Sequence, residues 1–240
     1  MPLVHIRHFL FGNSLISMPF CDLGGILADD EEAEETLLRE VIQLGYELKV
    51  ARIEFRHTRP LQCLQKLAHG RADGLNFEGP SHPRPKCATF SDKVRLLLPL
   101  PNSSEALMKS FRSKLRSQIK KPLKYGMTTR IGGPELLNDF YDVFLVNMRD
   151  LGSPVHSKRL LAAFLEEFSP ESRIVAVYKD GKPLAASVVV GFNDTLANPW
   201  ASSLREYSSL SPNMLLYWSM LEYGCDNHYA RFDFGRSSLH

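Results

Sequence analysis

Residues 173–192, RIVAVYKDGKPLAASVVVGF, decide how the chain folds. Two apolar runs rich in β-branched residues flank Asp180-Gly181, and an Asp-Gly pair between such runs is a strong signal for an antiparallel hairpin. A second turn at Asn193-Asp194 leads into TLANPWASS, which predicts a third strand beside the first two. Upstream, Leu137, Phe140, Tyr141, Phe144, Leu145 and Met148 follow the i, i+3, i+4, i+7 spacing of a helix over 134–149, and a further helix is expected near 157–168. Downstream, Ser211 and Pro212 are expected to cap and open a helix that Gly224 ends, followed by a last strand over 229–234. The order helix, helix, strand, hairpin, strand, helix, strand predicts an α/β (α+β) mixed sheet with helices packed on it. It is not the regular alternation of a doubly wound fold.

The first third reads as strands near 2–8 and 14–19, a helix from about 31 to 45 with Gly45 near its close, and a strand in LKVARIEFRH. Segment 56–93 reads as loops around one short helix, and VRLLLPL (94–100) as an apolar strand bounded by prolines at 99 and 101. Residues 102–126 suggest two short helices, with Ser103 or Ser104 as cap and Gly126 as terminator. The expected division is 1–101, a helical connector 102–126, and 127–240.

The 240 residues are 44% hydrophobic and 23% charged, the balance of a soluble globular protein, with no apolar run long enough for a membrane span. The start lacks a basic segment followed by an unbroken apolar one, so no signal peptide is expected. Four cysteines, at 21, 63, 87 and 225, have neither metal-ligand spacing nor dense pairing. They read as buried thiols in a reducing compartment, which places the protein in the cytoplasm with no bound metal.

The net charge of +2 conceals segregation. Residues 109–124, KSFRSKLRSQIKKPLK, hold seven bases and no acid. On a helix, Arg112, Arg116, Lys120 and Lys124 form one stripe that Lys114 and Lys121 widen. A solvated face normally mixes both signs of charge. With no acid to relieve repulsion, the stripe points to an anionic partner such as phosphate, nucleotide or RNA.

In NPWASSLREYSSLSPNMLLYW (198–218), Pro199 removes a ladder donor, so the strand must bulge or part from a neighbour there. Parted strands expose backbone groups to an extended ligand, and the helix that follows offers free N-terminal amides to an anion. An edge strand with a surface proline is the plainer alternative. In NMRDLGSPVHSK (147–158), Asn147, Arg149 and Asp150 end the long helix and a Gly-Pro turn presents His156. His156 beside serines, with no acid partner, reads as a loop residue, and no catalytic triad is inferred. In FDFGRS (232–237), Asp233 faces away from Phe232 and Phe234, and Gly235 lets the backbone turn or approach a ligand. Asp233 and Arg236 either pair with each other or with neighbours, or serve a site.

FRSKLRSQIKKPLKYGM, FLVNMRDLGSPVHSKRLL, NPWASSLREYSSLSPNMLLYW and RFDFGRS together resemble the FemAB-like proteins, in particular the branch associated with PEP-CTERM/exosortase and exopolysaccharide systems. The likeness runs from the first strand through residue 237. The family is built on two tandem GNAT-like domains, and its characterised members move an amino acid from aminoacyl-tRNA to a peptidoglycan precursor. The resemblance implies an incomplete first GNAT-like domain followed by a second one that stops early, since family members extend beyond both ends. It implies an aminoacyl- or acyltransferase acting on an amine-bearing envelope precursor, with its site near the parted strands and the cleft between domains. On that reading Arg116, Lys120 and Lys121 contact an anionic donor, with Asn147 and Arg149 near the substrate. Pro199, Trp200, Ala201 and Ser202 form the acyl groove, and Asp233 and Arg236 orient the acceptor.

GNAT enzymes that use acyl-CoA carry a glycine-rich loop before the helix, whose amides cradle pyrophosphate. REYSSLSP (205–212) has no glycine, which favours aminoacyl-tRNA over acyl-CoA as donor and calls for no resident cofactor. Two alternatives stay open: an RNA- or partner-binding remnant without turnover, and an acyl-CoA N-acyltransferase.

Overall fold

The computed structural model describes residues 1–10, 12–19, 21–64 and 87–238. The chain divides into two compact units, Met1–Asp92 and Lys93–His240.

In the first unit β1 (Val4–His8) pairs antiparallel with β2 (Gly12–Ile16), which pairs parallel with β3 (Arg52–Glu54). Helix α1 (Glu31–Glu47) is capped by Asp30, whose carboxylate accepts from the Ala33 amide at 2.8 Å, and Glu31, Glu32 and Glu34 complement the helix dipole in its first turn. Gly45 lies near the close of this helix, as expected, and is buried; a Cβ there would come within 2.8 Å of Ile53 Cδ1, so the glycine permits close approach of α1 to β3. The strand expected in LKVARIEFRH is correspondingly short. Of the loops expected over 56–93, residues 65–86 lie outside the described residues.

The second unit is built on a six-stranded sheet in the order β4-β9-β8-β7-β6-β5, formed by β4 (Lys93–Pro99), β5 (Thr128–Gly132), β6 (Ser172–Lys179), β7 (Lys182–Phe192), β8 (Thr195–Ser203) and β9 (Arg231–Ser238). The hairpin at Asp180-Gly181 forms as expected: β6 and β7 run antiparallel, with both turn residues at positive φ. The boundary expected after residue 101 differs from the observed one because β4 pairs with β9 and so belongs to the second unit's sheet.

Helix α4 (Leu137–Asp150), entered through a 3-10 turn at Pro134–Leu136, lies on β6, β7 and β8 with Phe140, Val143 and Phe144 buried. Helix α5 (Lys158–Glu167) follows it, capped by Ser157. Helix α6 (Pro212–Asp226) also packs on the sheet, and α2 (Ser104–Ser110) and α3 (Ser113–Lys124) pack on α6 rather than standing apart as a connector. Gly224 does not end α6 but lies within it, where a Cβ would meet Leu100 Cδ1 at 2.8 Å; like Gly45 it marks a tight contact. The core between sheet and helices includes Ile174, Val175, Val188, Leu196, Met220 and Phe232, all fully buried.

The last strand runs past the expected end at 234 to Ser238. Opposite β4 its register shifts, with Arg95 aligned to Arg236 and Leu97 to Asp233, so Phe234 and Gly235 together face Leu96. Gly235 sits in this bulge at φ +79°, a conformation that suits glycine. It continues the strand rather than turning it.

Candidate functional site

Strands β8 and β9 are parallel and share only three aligned pairs, Thr195 with Arg231, Leu196 with Phe232 and Ala197 with Asp233. Beyond these, residues 198–203 of β8 and 234–238 of β9 are not paired with each other, although each strand stays paired on its other side, to β7 and to β4. The two strands therefore part immediately before Pro199, as the proline predicts.

The same point carries a bulge against β7. Val188 aligns with Trp200 and Val190 with Ala197, so Asn198 and Pro199 together oppose Val189. The extra residue reverses which face the following side chains occupy. Leu196 and Asn198 face α6: Leu196 lies beside Gly224, and the Asn198 side chain hydrogen-bonds Tyr217. Trp200 and Ser202, although spaced by two, face α4 and α5. The Trp200 ring meets Phe164 edge-on at 5.0 Å and His156 at 5.9 Å, and Asn147 Nδ2 donates to Ser202 Oγ at 3.1 Å.

At the fork itself, the fully buried Ser187 hydroxyl lies 2.7 Å from Asn198 Oδ1 and 2.9 Å from the Trp200 carbonyl oxygen, two acceptors between which its one proton is shared. Tyr217 spans the fork, with its hydroxyl on Asn198 and its ring 5.7 Å from that of Phe234, the first residue of β9 beyond the pairing. Burial raises the Tyr217 phenol above its ordinary pKa, partly opposed by the Asn198 hydrogen bond, so it stays protonated at neutral pH. Burial likewise lowers the His156 pKa, which keeps the imidazole neutral.

Of the residues expected at the site, Pro199, Trp200, Ala201, Ser202 and Asn147 come together at or beside the fork. Asp233 does not pair with Arg236. Its Oδ2 accepts from Arg95 Nε at 2.7 Å, and its Oδ1 accepts from the Gly235 amide at 2.9 Å. Asp233 is thus buried with both oxygens engaged, holding β9 to β4 across the bulge, while Arg236 is exposed further along. Arg149 is exposed beside Asp150 at the end of α4 and opens on a separate depression rather than on the fork.

The basic stripe is formed in part. Arg112 is the N-cap of α3, not a helical residue, and Arg116 is half-buried. Lys120 and Lys124 are exposed, whereas Lys121 Nζ donates to the Ser209 carbonyl at 2.7 Å. That bond ties α3 to the 3-10 segment Arg205–Leu210, the stretch between β8 and α6 that lacks glycine. Ser211, at φ +61°, begins α6 without a side-chain capping bond, and Pro212 occupies the first helical position.

Asn198, Tyr217, Ser187 and Arg95 escaped the sequence reading. Only Asn198 had a local signal, since it precedes the proline. Tyr217 reads as one more aromatic in an apolar helix, and Arg95 lies 138 residues from the carboxylate it pairs with.

Residues 109–240 match the family model described as "Acetyltransferase (GNAT) domain". No curated protein sequence matches the chain. Among solved structures, the fold is similar to that of FemX (13% identity, TM-score 0.63, covering 98% of this chain and 75% of that one). It is also similar to the C-terminal domain of a putative lysylphosphatidylglycerol synthetase from Agrobacterium fabrum (13% identity, TM-score 0.57, 99% of this chain and 66% of that one). A third similar fold is that of L-PGS from Bacillus licheniformis (11% identity, TM-score 0.55, 95% of this chain and 63% of that one). The mixed α/β architecture expected from the sequence agrees with these folds, and with the family match covering most of the second unit, the chain belongs to the GNAT acetyltransferase-domain family.

Proposed function

We propose that this chain moves an aminoacyl group from an activated ester to an amine, with the acyl part held where β8 and β9 part. The observation that carries the reading is the end of pairing at Ala197 and Asp233, just before Pro199. Backbone groups on the inner sides of both strands are left open there, so an extended acyl chain can complete the ladder. The amine nitrogen attacks the ester carbonyl, the carbon–oxygen bond breaks, the departing alkoxide takes a proton, and the proton that the nitrogen sheds as it becomes an amide returns to the group that gave it. Tyr217 is the group best placed to give it: the phenol is protonated, it lies at the fork, and an alkoxide is basic enough to accept from it. Amides of β8 beyond the bulge are the candidates for stabilising the oxyanion.

Aminoacyl-tRNA is the favoured donor. Lys120 and Lys124 present exposed cations on α3, and the Lys121–Ser209 bond sets that helix beside the segment leaving β8. The acceptor we assign as an amine-bearing envelope precursor. That class, and the exosortase-associated branch, rest on the resemblance of the four quoted stretches.

An acyl-CoA N-acyltransferase is the second reading, favoured by the description of the matched family. Against it stands the glycine-free 3-10 segment where a pyrophosphate cradle would be needed. A binding and turnover screen with coenzyme A, acetyl-CoA and aminoacyl-tRNA at fixed salt decides between them. Amine-dependent deacylation of the tRNA is expected. Consumption of acetyl-CoA overturns the assignment in favour of the second reading, and tRNA binding without turnover overturns it in favour of a binding module.

A further inference from the structure

On the α4 side of the second unit, a depression of about 400 Å³ opens between the end of α4, the start of β7 and the first residues of the 3-10 segment. Its volume falls within the range of roughly 300–1,000 Å³ typical of small-molecule sites. Val143 and Leu204, both buried, lie in its floor with Val146 and Pro183. Six charged side chains line it, three acids and three bases, so it has no net charge to attract a polyanion. In this it is the opposite of the α3 stripe.

Four of the six neutralise one another. Arg149 meets the Asp150 carboxylate at 2.9 Å, and Lys182 meets Glu206 at 3.2 Å while also reaching the Tyr207 hydroxyl at 3.1 Å. The remaining two, Asp142 and Arg205, make no ion pair or side-chain hydrogen bond among the described residues. One cavity thus presents one uncommitted carboxylate and one uncommitted guanidinium over an apolar floor.

We propose that this depression binds a free α-amino acid with an apolar side chain. The guanidinium of Arg205 takes the carboxylate through its planar pair of donors. The carboxylate of Asp142 takes the ammonium, and Val143, Val146, Pro183 and Leu204 receive the side chain. A molecule bearing both charges satisfies both groups and leaves the cavity neutral, which neither a simple amine nor a simple carboxylate does. The site is separate from the β8–β9 fork, and the inference stands whether or not aminoacyl transfer is the activity.

The test uses the full chain and ligand-observed NMR or calorimetry, with no donor or acceptor present. L-leucine is expected to bind saturably and glycine more weakly. L-leucinamide, which lacks the carboxylate, and N-acetyl-L-leucine, which lacks the ammonium, are each expected to lose about tenfold or more in affinity, the value of one charge-assisted contact. Arg205→Gln and Asp142→Asn, both at exposed positions, should produce matching losses with an unchanged circular dichroism spectrum. The proposal is overturned if L-leucine gives no saturable binding, if the amide or the N-acetyl compound binds as tightly as L-leucine, or if both variants keep wild-type affinity. The comparison of ligands on the unaltered protein decides the matter even if a variant fails to fold.

Discussion

Asn147 on α4 donates to Ser202 on β8, 3.1 Å away, and it can do so because the bulge at Pro199 turns Ser202 toward α4. In an unbroken strand Ser202 would share a face with Leu196 and Asn198, which look toward α6. The bond therefore reports that the bulge is formed.

Removing either partner should cost stability. Ser202→Ala leaves the half-buried Asn147 amide without its acceptor, a loss of about 1–3 kcal/mol. The double variant with Asn147→Ala should be less destabilised than the sum of the singles, by about 0.5–1.5 kcal/mol. Chemical denaturation of the four proteins measures this coupling, and strict additivity would show that the bond contributes nothing.

Tyr217→Phe separates structure from chemistry. The ring stays against Phe234 while the hydroxyl on Asn198 is removed. Donor binding should persist and the rate of transfer fall by about 10²–10⁴ if the phenol delivers the proton. An unchanged rate would reassign that hydroxyl to holding Asn198.

The basic helix yields a salt-dependence test, and the structure decides which residues to change. Lys121 makes an internal bond to Ser209, so reversing it mixes folding with binding. Reversing the exposed Lys120 and Lys124 to Glu avoids this. Each lysine that ceases to neutralise a phosphate should flatten the salt slope of log K by roughly 0.7–0.9. If both proteins bind RNA with one affinity and one slope, the stripe is a solvated face.

Arg95→Met should be destabilising although the arginine side chain is one third exposed, because it strands the buried Asp233 carboxylate. Full loss of a buried partner costs about 3–5 kcal/mol, and solvent at Arg95 should reduce this to roughly 1–3. Arg95→Met with Asp233→Leu should recover part of the loss, which thermal melts can measure.

Stability should also fall on mild acidification. His156 has its pKa lowered by burial in the folded protein, so the unfolded chain binds protons more readily near the ordinary value of 6.5. Stability from the neutral imidazole is complete above that value and is lost as pH drops below it toward the folded pKa. His57 is shifted the same way and adds to the slope. Melting temperatures between about pH 5 and 8 should decline less steeply in His156→Asn, and identical profiles would contradict this.

Local chemistry in the sequence determined a good deal: the Asp180-Gly181 hairpin, the apolar face of α4, a serine cap at 103 or 104, and the break at Pro199. Each depends on neighbours within one turn or one strand, where steric and hydrogen-bonding rules act without knowledge of the rest of the chain. Gly224 misled because a glycine that ends a helix and one that admits a neighbour look the same in sequence. Tertiary structure alone decided that Asp233 belongs to Arg95, that Tyr217 reaches Asn198, that Lys121 is spent on Ser209, and that Trp200 looks toward α5. These outcomes depend on strand order and on the register slip of one residue at a bulge. Such a slip moves a side chain from one face of the sheet to the other while leaving the residue pattern unchanged.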